Sequence, residues 1–121
     1  MRDRDELAAA PIRPVAKGTP ALAPAEAQSL LRVLGAGWEI VEAKKLRKAY
    51  RFPDFATALA FVNQVGNLAD QVDHHPDIEL GWGKAVIEIW THTVGGLHTI
   101  DFVFAARCEH LLTGDSVPAE P

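Results

Sequence analysis

The sequence predicts an α+β domain of two layers, a four-stranded antiparallel sheet with three helices on one face, in the order α-β-β-α-β-β-α. Three observations predict it. Apolar residues recur at three- and four-residue intervals in three segments and alternate in four others. The alternating segments form two pairs, and each pair is joined by a link too short for a crossover helix, so the pairs are antiparallel. Helical segments flank and separate the pairs, and such helices gather on one face of an antiparallel sheet.

Taken in order, residues 1–22 are rich in alanine and proline and show no period. They are expected to form a flexible arm, because they offer too little apolar surface to offset their ordering entropy. The tail "TGDSVPAEP", 113–121, reads the same way, which leaves residues 23–112 as the folded domain. The first helix starts near Pro24, a good first-turn residue, presents Leu30, Leu31 and Leu34, and ends at Gly35 or Gly37. "WEIV" (38–41) and "KLRKAYRF" (45–52) are strands joined by a turn. Leu46, Tyr50 and Phe52 share one face of the second strand, and Lys45, Arg47 and Arg51 share the other. Lys48 falls on the apolar side, which places it near an edge or reaching outward along its stem. Asp54 is a sound N-cap for the second helix, whose apolar stripe is read as Phe55, Ala58, Leu59, Val62, Val65 and Ala69. "DIEL" (77–80) is a third strand, "GWGK" a turn, and "AVIEIWTH" (85–92) a fourth strand broken by Gly95 and Gly96. The third helix spans about Thr99 to Leu112, with Ile100, Val103, Phe104, Cys108 and Leu111 inward.

Composition narrows the function. The 121 residues carry a formal net charge of −4, with a pI near 5.7. That argues against a general electrostatic grip on nucleic acid. A lone Cys108 can form neither an internal disulfide nor a cysteine-based zinc site, and points to a reducing compartment. No apolar run approaches the ~18 residues of a membrane span, and the N-terminus lacks the apolar block of a secretory signal. A cytoplasmic location without nucleic-acid or membrane partners is expected.

The chemistry concentrates in "QVDHHPDIELGW", residues 71–82. His74 and His75 stand where a helix hands over to a strand, and Pro76 biases His75 toward extended backbone. The pair could bind metal, exchange protons or lie in a polar loop. Metal is the weakest reading, since adjacent extended residues point opposite ways and no metal ligand set is expected. His92 alters the balance. The third and fourth strands form a hairpin, so the end of the fourth returns to the start of the third, beside His75. Three imidazoles in one cleft make a credible acid/base site. Asp101, in the first turn of the last helix, suits both a capping role and the orienting of a histidine. Trp82 could stack on a flat ligand or merely cover its turn. Asp70 could serve the site or be a solvated helix-end acid.

These residues carry a resemblance. Asp70, three residues, His74-His75-Pro76, five residues, Trp82, nine residues, His92, eight residues and Asp101 match the signature of the pterin-4a-carbinolamine dehydratases (4a-hydroxytetrahydrobiopterin dehydratases). "YRFPDFATALAFVNQV" and "WTHTVGGLHTIDFVFAAR" are similar to family text, so the likeness runs from Trp38 to Leu112. The resemblance implies the fold given above, and a hydro-lyase that converts 4a-hydroxytetrahydropterin to quinonoid dihydropterin in cofactor recycling, with no cofactor of its own. It implies His74 and His92 as proton donors to the leaving hydroxyl and His75 as the residue that binds and orients the pterin. Asp101 would hold an imidazole, Asp70 would help polarise the site and Trp82 would shape its wall. Two departures stand out: the site acid is aspartate where glutamate is the more familiar residue, and His98 replaces a capping threonine, which passes the cap to Thr99. The resemblance also implies a homodimer or homotetramer. It leaves a second reading, a catalytically silent binding protein such as a Rubisco assembly factor of carboxysomes or a dimerisation cofactor of transcription factors.

Overall fold

The two hairpins form one antiparallel sheet in the order β1-β2-β4-β3, made of β1 (Glu39–Val41), β2 (Lys45–Arg51), β3 (Asp77–Gly81) and β4 (Lys84–Ile89). The structure is a computed structural model and describes residues 2–113. Leu46 lies opposite Ile89, Lys48 opposite Ile87 and Tyr50 opposite Ala85, so these side chains share the face that meets the helices. All of them except Lys48 are buried. On the other face Glu88 bridges Lys45 at 3.5 Å and Arg47 at 3.3 Å. The fold class is the expected one.

Local chemistry sets the helices. In α2 (Pro24–Leu34) the proline opens the first turn, the Glu26 carboxylate accepts the Ala23 N–H at 2.9 Å, and Gly35 ends the helix at φ +55°. In α3 (Phe55–Val72) the Asp54 carboxylate accepts the hydroxyl and the N–H of Thr57 at 2.7 and 2.8 Å. Those two bonds hold the Asp54 carboxyl below its usual range. The buried stripe of α3 is Ala58, Phe61, Val65, Leu68 and Ala69, whereas Phe55 and Leu59 are exposed. Apolar residues occupy two adjacent faces of this helix, so periodicity alone does not select the stripe that packs. The last helix, α4 (Thr99–Thr113), is buried on most sides: Phe102, Val103, Phe104, Ala105, Ala106 and Cys108 are fully enclosed. Burial, chiefly, pushes the Cys108 thiol up from its ordinary value.

Lys48 turns inward rather than outward. Its Nζ reaches Glu109 Oε2 at 2.8 Å, and the same oxygen accepts Tyr50 Oη–H at 2.6 Å and Trp38 Nε1–H at 3.0 Å. The three donors satisfy a charge buried between sheet and helix, the condition under which such a charge is tolerated. Burial, then the nearby Cys108 and Glu109, drives the Tyr50 phenol far above its ordinary value.

The arm is the largest departure. Arg4–Ala9 form a helix, α1, whose Leu7 is fully buried. Arg107 of α4 explains the docking. Its Nε donates to Ala8 O at 2.9 Å and its Nη2 to Ala10 O at 2.5 Å, placing a cation on the carbonyls left open at the end of α1. Partial burial lowers the Arg107 pKa. Arg4 Nη1 donates to Leu34 O at 2.8 Å, and His110 pairs with Asp5 at 2.9 Å. A short helix with one buried leucine is thus held by polar contacts to distant segments. The tail expected at 113–121 lies, beyond Thr113, outside the described residues.

Candidate active site

The end of α3 places the histidine pair. Asp73 takes a left-handed conformation (φ +55°, ψ +47°), and the N–H groups of Asp73 and His74 both donate to Ala69 O. Aspartate tolerates this conformation better than most residues. The chain then runs straight, and the two rings part. His74 turns inward, its side chain 12% exposed, and His75 turns outward at 55%.

His74 Nε2 lies 2.6 Å from Asp101 Oδ1. Asp101 is fully buried, and its Oδ2 accepts Thr91 Oγ1–H at 2.9 Å and the His98 N–H at 2.9 Å. A carboxylate with two other donors in place accepts from His74 as well, so the imidazole carries its proton on Nε2. Its Nδ1 is then the nitrogen open to a ligand. Phe104 meets the same ring edge-on, with centroids 6.0 Å apart. His75 Nε2 lies 3.0 Å from Asp70 Oδ1, but Asp70 is 81% exposed, so solvent screens this pair.

Strand β4 stops at Ile89, short of the expected 92. Thr91 bridges to Gly96, its N–H donating to Gly96 O at 2.9 Å, and His92–Val94 form a 3-10 turn closed by Gly95 at φ +66°. His92 therefore sits on a turn. Trp90 lies against its ring at 4.7 Å between centroids, with Lys45 Nζ 4.6 Å from the Trp90 ring centre.

These elements enclose a cavity of about 350 Å³ that His74, His75 and His92 all line, with Asp73, Thr91 and Ile100. Val72, Thr93 and Ile12–Val15 of the arm complete its lining. Trp82 is not part of it. It stands 74% exposed at the β3–β4 turn, the opposite end of the hairpin from His75 and His92. It lies five positions along the chain from Asp77, on the order of 15 Å of strand. That turn requires glycine at position 83, where φ is +67° and a Cβ would meet Phe52 O at 2.9 Å. Asp70 touches His75 but does not line the cavity. The cap of α4 also differs from expectation. His98 Nδ1 itself accepts the Ile100 N–H at 3.3 Å, and Thr99 is the first helical residue. Thr91, Trp90 and Ile12–Val15 were not singled out by the sequence; only the place of Trp90 and Thr91 beside His92 hinted at the first two. Among the described residues no group of three histidine, cysteine or acidic side chains is arranged to hold a metal, and no helix is long and apolar enough to cross a membrane.

Comparison with known proteins follows the same lines. A family profile described as pterin 4 alpha carbinolamine dehydratase matches residues 20–111. A Rubrobacter xylanophilus protein named provisionally as a pterin-4-alpha-carbinolamine dehydratase is 47% identical over 106 residues, covering 88% of this chain and 98% of its own. A Rickettsia bellii protein with the same provisional name is 41% identical over 98 residues, covering 81% and 87%. Among solved structures, a transcriptional coactivator/pterin dehydratase from Brucella melitensis superposes with a TM-score of 0.71 at 27% identity, covering 75% of this chain and 97% of its own. A pterin dehydratase-like Rubisco assembly factor of the alpha-carboxysome shares the fold, with a TM-score of 0.55 at 24% identity, covering 64% and 92%.

Proposed function

The chain belongs to the pterin 4 alpha carbinolamine dehydratase family, and from that premise we propose that it removes water from a 4a-hydroxytetrahydropterin by histidine acid/base catalysis, in pterin cofactor recycling. The observation that carries this reading is the cavity lined by all three imidazoles, with a buried carboxylate behind one of them. In the reaction the C4a–O bond breaks as the hydroxyl gains a proton and departs as water. N5 gives up its proton, and its electron pair forms the new C=N bond of the quinonoid dihydropterin. No electrons enter or leave, so the step needs no redox cofactor. His92, or His74 when its ring is doubly protonated against Asp101, donates to the hydroxyl, and the imidazole that has released a proton takes the one from N5. The catalyst thereby returns to its starting state. Asp101 acts through His74: it fixes the tautomer and supplies the counter-charge when the ring is protonated. His75 binds and orients the pterin from the rim, steered by Asp70.

His74→Ala and His92→Ala should each reduce dehydration by on the order of 10²–10⁴-fold while circular dichroism reports an intact fold. Turnover at the wild-type rate in both variants would refute the assignment. A second reading, protein binding, is favoured by the exposed Trp82, Phe55 and Leu59. Those side chains also suit a homodimer or homotetramer, which light scattering on the purified chain would detect. Wild-type protein that turns over no 4a-hydroxypterin yet copurifies with a stoichiometric partner would replace the enzymatic reading.

A further inference from the structure

The arm does more than pack. It is pinned on both sides of the cleft, by Arg107 on Ala8 O and Ala10 O before it, and by Leu22 N–H on Leu97 O at 2.8 Å after it. Between those pins Ile12–Val15 line the histidine cavity, and Arg13–Val15 also line a second chamber of about 440 Å³. The two chambers share Arg13, Pro14, Val15 and Ile100, so they adjoin. The second chamber is apolar along Ala10, Pro11, Val15 and Val103. Arg13, Thr19, His98 and Thr99 interrupt that lining. Arg13 is exposed and makes no hydrogen bond or ion pair among the described residues. His98 has Nδ1 committed to the Ile100 N–H, which leaves its Nε2–H to donate. A chamber that combines apolar side chains with a guanidinium and a ring donor suits an apolar segment that carries an anion.

We propose that the arm is a specificity element, in which the second chamber receives the substituent at C6 of the pterin and Arg13 selects substrates whose substituent bears a carboxylate or phosphate. This rests on the dehydratase reading, since the histidine cavity must hold the pterin ring. Residues 10–16 precede the segment matched by the family profile, which begins at residue 20.

The test measures dehydration of three 4a-hydroxytetrahydropterins generated in situ, bearing at C6 a methyl group, a carboxyalkyl chain or a phosphorylated alkyl chain. Each is assayed with wild type, Arg13→Ala and Arg13→Lys at two salt concentrations. Wild type should prefer an anionic substrate by about 10- to 100-fold in kcat/KM, the range expected for a charge-assisted pair. The larger ratio identifies the anion. Arg13→Ala should erase the preference mainly through KM, the mark of binding shared by ground and transition states. Arg13→Lys should restore part of it, and added salt should shrink it. Turnover of all three substrates without preference, or an equal effect of Arg13→Ala on all three, overturns this inference and leaves the dehydratase reading standing. Failure of wild type to turn over any of them overturns that reading, and this inference with it.

Discussion

Replacing Asp101 with asparagine tests the site at its most constrained point. Asparagine has the shape of aspartate but only one accepting oxygen. With that oxygen at the Oδ2 position, the bonds from Thr91 and His98 survive, and the amide NH₂ falls where Oδ1 now meets His74 at 2.6 Å. His74 Nε2 must then accept, so the ring proton moves to Nδ1 and the nitrogen open to substrate loses its lone pair. Each of the three bonds also changes from charge-assisted to neutral, a loss of about 1 kcal/mol apiece. Relief of the desolvation of a buried carboxylate offsets part of that. The net cost is about 2 kcal/mol, or roughly 8 °C in Tm for a chain of this length. Turnover should fall far more than stability does, on the order of 10²–10⁴-fold. Calorimetry measures the first quantity and the dehydration assay the second, while long-range ¹H–¹⁵N spectra of labelled histidine report the tautomer. A folded Asp101→Asn protein that keeps His74 protonated on Nε2 and turns over within about tenfold of wild type would refute the reasoning.

The remaining predictions concern the framework. Glu109→Gln should cost about 3 kcal/mol by stranding the Lys48 ammonium beside Tyr50 and Trp38, and Lys48→Met in the same chain should recover most of it; urea titrations of the two variants give both figures, and additive losses would rule out the pairing. Tyr50 is the only tyrosine, so phenolate absorbance reads it alone. Its folded pKa is raised, so the neutral phenol contributes stability in full below its unfolded pKa of ~10, and that contribution fades as pH rises above it; the phenolate signal should appear only with alkaline unfolding, and its appearance in folded protein near pH ~10 would contradict the burial. Leu7→Ala should lower stability by about 2–5 kcal/mol despite its place near the N-terminus, whereas a change under about 0.5 kcal/mol in a denaturant titration would mean that α1 does not stay docked.

Why the sheet was legible and the arm was not follows from where the signals lie. The alternation at Leu46, Lys48 and Tyr50, the N-cap at Asp54 and the glycines after β4 act over a few residues, and the structure uses them locally. Docking of α1 depends on Arg107, which grips Ala8 O from 99 residues away and leaves no local pattern. The stripe of α3 failed for a related reason: Phe55 and Phe61 both fit a helical period, and only the neighbouring elements decide which is buried. Trp82 offers a different lesson. It lies at the midpoint of a hairpin whose residues 77 and 88 are paired, so spacing that places His75 and His92 together necessarily sends residue 82 to the far tip. The histidines themselves could be grouped from sequence because a hairpin returns its two ends to one place.

Asp101 also shows why structure and chemistry need not be separable in this fold. Its Oδ2 closes the start of α4 by accepting the His98 N–H and ties in Thr91 from the exit of β4, while its Oδ1 holds a ring from the end of α3. Three segments converge on one carboxylate, so the residue that starts the helix also sets the tautomer of His74. Glu109 lies eight residues further along the same helix, about 12 Å away, and gathers its own three donors with no contact to the cavity. The two buried acids of α4 therefore make a controlled comparison. Neutralising either removes a charge held by three donors, and only at position 101 should the loss of rate exceed what the loss of stability explains.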